Sequence, residues 1–408
     1  MKGLFIICIA VATAVLNTSC SKLVVKPNSD KTVALSIRQI MDKQYPNGRF
    51  YVGCSSKKQY YSTPDTNARN FFNEFSFNVP ENAFKQAVVF QAPNASWGTG
   101  AMEYRYFIQK ARETKQVIRA HSPISPQVST WARDDSRTPQ ELENNLIFFM
   151  TEMSKDLEAN KDVVKWMDVV NETLNTSNTK GLNYDGTGKE DIINHALGSW
   201  MGPKKGNIAW ENPWTIMGFD TVKVNAEPFI IPKYIIKSFE LANKYAPNVK
   251  KIWNTHGKTV ELVGFEKQKK AITYLRSKGI AVDGIGWQAH VKLGWEKEPN
   301  NIKDLETMID WCFQNKLEFH VTELDVQVAT GTDMNTLLTT RAEQAETINA
   351  VVEVLLKKID KGAVSVNFWT KYDRMADGGT IGCLFDTSEK PNIAYFKLKE
   401  LLVKYGQK

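Results

Sequence analysis

The chain has 408 residues, 42% of them hydrophobic and 24% charged, a balance that allows a large core and excludes a disordered or fibrous protein. Its formal net charge of +7 comes from Lys and Arg spread along the whole length. No basic run is interleaved with aromatics as a nucleic-acid groove requires, so the charge reads as a solvated surface and no nucleic-acid partner is expected.

The chain opens with Lys2, continues with an apolar run from Leu4 to Leu16, and then reads Asn17-Thr18-Ser19-Cys20. That run is too short to span a bilayer and ends in small residues, the pattern of a cleaved signal peptide over 1–19. A cysteine directly after small residues resembles a bacterial lipoprotein cleavage site. Cys20 is therefore expected to become an acylated N-terminus, with an ordinary signal peptide as the alternative. Residues 20–36 mix Ser, Lys, Asn, Pro and Thr as a tether does, which leaves 37–408 as one folded domain. The expectation is an exported protein held to a membrane by its lipid alone, on a side left open. Cys54, Cys312 and Cys383 are odd in number, far apart and without CxxC spacing, so they read as buried thiols rather than a disulfide framework or a zinc site.

Short apolar runs then alternate with amphipathic stretches. The runs are Phe50–Gly53, Phe75–Val79, Val117–Ala120, Val164–Val170, Val249–Trp253, Val282–Trp287, Glu318–Leu324 and Val364–Trp369. Several are rich in β-branched and aromatic residues without clean alternation, as strands buried on both faces are. Helix-like stretches lie between them at Ala101–Lys115, Pro139–Asn160, Pro232–Ala246, Glu261–Lys278, Ile302–Asn315, Arg341–Lys358 and Ile393–Tyr405. Strand–helix alternation means parallel pairing, and about eight strands predict an α/β fold of the (β/α)8 TIM-barrel type. A doubly wound open sheet is the alternative, weakened by the lack of a glycine-rich phosphate turn after the first strand.

Barrels of this kind build their sites at the C-terminal ends of the strands. The fourth run closes as Trp166-Met167-Asp168-Val169-Val170-Asn171-Glu172, and the seventh as His320-Val321-Thr322-Glu323-Leu324-Asp325. Two glutamates facing each other across a cleft are what glycosidic cleavage needs: one protonates the leaving oxygen and the other attacks the anomeric carbon. Taken singly, a glutamate at a strand end is more often a solvated or capping residue.

The two segments resemble the acid/base and nucleophile strands of family 10 glycoside hydrolases, the endo-β-1,4-xylanases, and the likeness runs from about residue 40 to 405. The resemblance implies Glu172 as general acid/base and Glu323 as nucleophile of a retaining mechanism, with the carboxyl groups about 5–5.5 Å apart. Pro80-Glu81-Asn82-x-x-Lys85 is similar to a family segment whose Glu, Asn and Lys bind sugar hydroxyls one subsite away, and Arg119-x-His121 to one whose histidine holds the sugar at the cleavage site. Gln288-Ala289-His290 resembles the sixth-strand motif, Trp369 the tryptophan under the cleavage-site sugar, and Leu384-Phe385-Asp386 with Pro391 and Ala394-Tyr395 the closing helix. Asn171 is suited to the sugar 2-hydroxyl, and His290 to bridging Glu323 and Asp325 so that the nucleophile stays ionised. Gln288 and Asp325 complete the expected support. His320 reads as barrel interior, and His256 borders the cleft from the fifth strand. Trp131, Trp287 and Trp295 read equally as core or as sugar platforms.

Three segments depart from the family pattern. Ser125-Pro126 stands where a Trp-His pair is usual, no second tryptophan follows Trp369 in the loop Asp373–Gly379, and the fifth strand closes as Asn254-Thr255-His256-Gly257. An insertion over 174–212 carries Tyr184, Trp200 and Trp210 as candidate replacement walls. The leading expectation is a monomeric endo-1,4-β-xylanase that needs no metal or cofactor. A retaining enzyme for another or heavily decorated β-glycan, and a catalytically silent glycan-binding surface protein, are the alternatives.

Overall fold

The computed structural model describes residues 35–62, 71–175, 199–202, 212–256, 262–328, 334–376, 379–386 and 388–406. The expected leader, Cys20, Tyr184 and Trp210 lie outside the described residues.

Eight parallel strands form the barrel: β1 (Tyr51–Ser56), β2 (Phe77–Pro80), β3 (Val117–Ala120), β4 (Val164–Asn171), β5 (Lys250–Thr255), β6 (Gly284–Trp287), β7 (Glu318–Val328) and β8 (Ala363–Phe368). Neighbours follow chain order from β1 through β6. The circle closes because β6 pairs with β7, β7 with β8 and β8 with β1. This is the barrel anticipated from the strand–helix alternation, and the open-sheet alternative falls because the eight parallel strands close on themselves.

Around the barrel run α2 (Trp97–Glu113), α3 (Pro139–Ala159), α4 (Lys233–Tyr245), α5 (Leu262–Ser277), α6 (Asn301–Gln314), α7 (Met334–Lys357) and α8 (Ile393–Gly406), with α1 (Ile37–Gln44) ahead of β1. Local chemistry sets several starts. Thr138 and Glu141 form a reciprocal capping box on α3 with Pro139 in its first turn, and Ser36 and Gln39 do the same for α1. The main core fills the layer between barrel and helices, and a smaller cluster of Phe77, Val79, Trp166 and Ile252 plugs the barrel interior. His320 belongs to that interior, fully buried with Nδ1 2.8 Å from Ser365 Oγ. Cys54, Cys312 and Cys383 are free and buried.

Among the described residues, several elements escaped the sequence reading, chief among them α1, an antiparallel hairpin of Phe219–Val224 with Glu227–Pro232, and a second of Arg374–Ala376 with Gly379–Gly382 that extends β7 above the rim. The first hairpin turns through Asn225 and Ala226, both at positive φ, and alanine gives no turn signal.

Candidate active site

The two glutamate strands share a backbone irregularity. The pairing of β4 with β5 shifts by one residue between Asp168 and Val170, and that of β7 with β8 between Val321 and Leu324. A bulge breaks strict alternation and re-aims the residues that follow. Val169 and Val170 thus both enter the core outside the barrel, while Asp168 and Asn171 meet side chains of neighbouring strands inside it. On β7 the bulge delivers Thr322 and Glu323 together: Thr322 Oγ1 donates to Asn254 Oδ1 at 2.8 Å, and Glu323 Oε1 accepts from Asn254 Nδ2 at 2.9 Å.

Glu323 is 3% exposed and is held from three sides. Besides Asn254, His290 Nε2 lies 3.3 Å from Oε2, and His121 Nε2 lies 3.7 Å from Oε1. Burial alone would raise its pKa, but the charges and hydrogen bonds of His121 and His290, with Lys85 beyond, hold it down to about 2. His290 Nδ1 stands 3.0 Å from Asp325 Oδ1. Burial pulls this imidazole down; Asp325 and then Glu323 outweigh it and push it up to about 10. His290 thus stands between two carboxylates, bridging Glu323 and Asp325.

Glu172 follows the last residue of β4 with φ of 52°, a left-handed conformation that costs a non-glycine residue about 1 kcal/mol or more. Gln288 Nε2 donates to Glu172 Oε1 at 2.8 Å and stands 3.2 Å from Asn171 Oδ1, which also accepts from Asn254 Nδ2 at 2.9 Å. Three amide side chains thus join the two glutamates in one network. Ala289, at φ of 61°, breaks the strand between Gln288 and His290, so both reach the site.

Other expected residues gather on the β1–β3 side. Lys85, 4% exposed, donates to Asn82 Oδ1 at 2.8 Å and to Gln127 Oε1. Burial lowers its pKa against the opposing pull of Glu323, Glu172 and Glu81. Glu81 pairs with Lys57 at 3.4 Å. Trp369, half-buried, sets its indole 5.1 Å from the His121 ring and 6.4 Å from that of His290. His256 borders this network: burial lowers its pKa, Glu172 raises it, and His290 lowers it again.

The tryptophan candidates divide. Trp287 and Trp295 pack on each other at 5.7 Å and are buried, so they are core. Trp200 is a correction: instead of a cleft wall it is 1% exposed, stacked near Trp253 at 6.4 Å and capped by Lys267. Its indole nitrogen donates to Ile230 O, which ties the insertion to the Phe219–Pro232 hairpin. Trp131 is half-buried beneath the Arg137 guanidinium.

Four supporting residues had no assigned role in the sequence. Asp168 is fully buried, accepts Arg119 Nε at 2.7 Å and meets His121 Nδ1 at 2.9 Å, so it sets which edge of His121 faces Glu323. Asn254 lay inside a segment read only as a departure, and Gln127 directly follows another. Gly286 is on the strand between Asn254 and Glu323. A Cβ there would stand 2.4 Å from Asn254 Oδ1 and 2.7 Å from Arg119 Nη2.

The chain is similar to known proteins in sequence and to solved structures in fold. An "Endo-1,4-beta-xylanase A" of Caldicellulosiruptor sp. (strain Rt8B.4) is 33% identical over 172 residues, 41% of this chain and 24% of the relative. Another, from Humicola insolens, is 24% identical over 302 residues, 72% of this chain and 66% of the relative. The chain thus spans less than two thirds of either relative's length. The structure of xylanase 10B from Thermotoga petrophila RKU-1 in complex with xylobiose matches with a TM-score of 0.69 at 20% identity, covering 91% of this chain and 98% of that one. At that identity the likeness shows the shared fold. The model of "Glycosyl hydrolase family 10" matches residues 41–199 and 227–401, on both sides of the divergent stretch after β4, and on that match this chain belongs to glycosyl hydrolase family 10.

Proposed function

We propose that the chain is a retaining endo-1,4-β-xylanase with Glu323 as nucleophile and Glu172 as general acid/base. One observation carries the reading: a buried carboxylate kept ionised by two imidazoles and an amide shares a network with a second glutamate held in a left-handed turn. In the first step a Glu323 oxygen bonds the anomeric carbon as the glycosidic C–O bond breaks, and Glu172 gives its proton to the leaving oxygen. In the second, Glu172 takes a proton from water as that water's oxygen displaces Glu323, restoring both groups. Asn171 is placed for the sugar 2-hydroxyl. Lys85, Asn82, Glu81 and His121 are placed for hydroxyls on the β1–β3 side, and Trp369 for the apolar face of the ring.

A second reading, activity on decorated β-glycans, is favoured by the walls. Ser125 and Pro126 carry no aromatic ring, and Trp200, Trp287 and Trp295 are buried, which leaves room beside Trp369 for side groups. The test is product analysis on linear xylan, glucuronoarabinoxylan and mixed-linkage β-glucan, with the anomer of the first product followed by NMR. Internal cleavage of xylan with β-anomer released first is the expected result. Turnover of glucan alone overturns the xylanase reading, and binding without turnover on any polymer overturns the enzyme. Export, with anchoring through an acylated Cys20, completes the proposal, and the intact mass of membrane-extracted protein tests it.

A further inference from the structure

The end of the barrel opposite the cleft carries an unbalanced charge. Helix α1 lies across this end: the Arg38 guanidinium donates to the carbonyls of Phe72, Thr114 and Lys115, which precede β2 and β3. The loops that bring the chain from each helix into the next strand share the face. Its acids are spoken for: Asp162, Asp283, Asp310, Glu318 and Asp360 are each ion-paired with a lysine or arginine. Lys43 in the last turn of α1, Lys115 before β3, Lys278 after α5 and Lys316 before β7 are exposed, and no described carboxylate pairs with any of them. Phe313, 50% exposed, sits in the last turn of the helix that delivers Lys316.

We infer that this face docks on a membrane surface bearing anionic phospholipid headgroups, so that the catalytic cleft points away from the bilayer. The inference rests on the anchoring reading for its setting, and two independent observations favour a lipid occupant. The first is charge: four ammonium groups without a carboxylate partner on one face suit a layer of phosphates, and an exposed phenylalanine beside them suits the interfacial zone. The second is connectivity. The described chain enters the barrel through Ser36 and α1 on this same face, 36 − 20 = 16 residues after Cys20, a stretch that reaches at most about 58 Å. Among the described residues no helix is long and apolar enough to cross a membrane. A polymer reaching the outward-facing cleft then meets no obstruction from the bilayer.

The test uses the mature chain, residues 20–408, with Cys20→Ala, so that binding depends on neither the apolar leader nor acylation. Co-sedimentation with neutral phosphatidylcholine vesicles is compared with vesicles containing about one third phosphatidylglycerol. Binding to the anionic vesicles only, lost at high salt, is expected. Replacing Lys43, Lys115, Lys278 and Lys316 by Gln together lowers that binding at least about tenfold, at unchanged turnover of a soluble glycan. The matching quadruple at Lys223, Lys297, Lys303 and Lys390 leaves it within about twofold. Equal binding to both vesicle types, equal losses in the two quadruple variants, or capture by acidic glucuronoxylan with no capture by vesicles each overturns the proposal. An unacylated Cys20 in extracted protein overturns the anchor and leaves the vesicle result to decide the face.

Discussion

Asn254 on β5 reaches Glu323 on β7, 2.9 Å away, across a strand whose intervening inward residue is Gly286. Only the missing Cβ lets the amide cross. A methyl at 286 would press on Asn254 Oδ1, Arg119 Nη2 and Thr322 Cγ2, groups of residues that are themselves buried. Gly286→Ala is therefore expected to lower kcat about tenfold or more and to destabilise the fold by about 1–3 kcal/mol. Kinetics on an aryl β-xyloside with a thermal melt read both. Full activity in this variant would show that Asn254 does not orient the nucleophile.

His290 makes stability pH-dependent in a defined window. Its pKa is raised from 6.5 to about 10, so its contribution is fully present below 6.5 and disappears as pH rises through 10. Glu323 works in the opposite sense: with its pKa lowered from 4.5 to about 2, its contribution is present above 4.5 and disappears as pH falls through 2. The melting temperature should thus fall steadily from pH 7 to 10. In His290→Gln that alkaline slope should flatten, while the acid limb of activity moves to higher pH because the nucleophile has lost an imidazolium. An unchanged alkaline slope in the variant counts against a charged His290.

Asp168 is paired with Arg119 where both are fully buried. Asp168→Asn leaves an unpaired guanidinium inside the barrel, at a cost of about 3–5 kcal/mol. It also frees His121 from its 2.9 Å partner. Chemical denaturation of Asp168→Asn and the double variant Asp168→Asn/Arg119→Met should show that removing both charges recovers much of the loss. If the double variant is the less stable of the two, the pair is not the source of the cost.

Glu172 is expected to matter according to the leaving group. Glu172→Gln should cut the turnover of xylan about 10²–10⁴-fold, since the departing sugar needs its proton. With a dinitrophenyl xyloside, whose phenolate leaves unaided, the first step should survive and a burst of phenolate should precede slow hydrolysis. Equal losses on the two substrates would deny Glu172 the acid role. Glu323→Ala should abolish both.

Much of this site is legible along the chain because its strands are short, apolar and each closed by a polar residue. Glu172, Glu323, His121 and His290 stand at such closures, and Lys85 and Asn82 one loop beyond. What could not be read depends on bulges. An expected alternation of two places Val169 and Val170 on opposite faces, whereas the shift after Asp168 turns both into the outer core and Asn171 inward. Trp200 illustrates a different blindness. An indole in a polar, glycine-rich insertion resembles a sugar platform until Trp253, Phe229 and Lys267 are seen to enclose it.

The sequence by itself determined the barrel and its pair of glutamates, because hydrophobic period, caps and strand-closing residues are local properties of the chain. Only the tertiary structure decided which groups surround them: Asn254 reaching past Gly286, Asp168 behind His121, and the charged face under α1. Those relations join residues from strands far apart in sequence, and they exist only once parallel pairing closes the circle and brings their side chains into one interior.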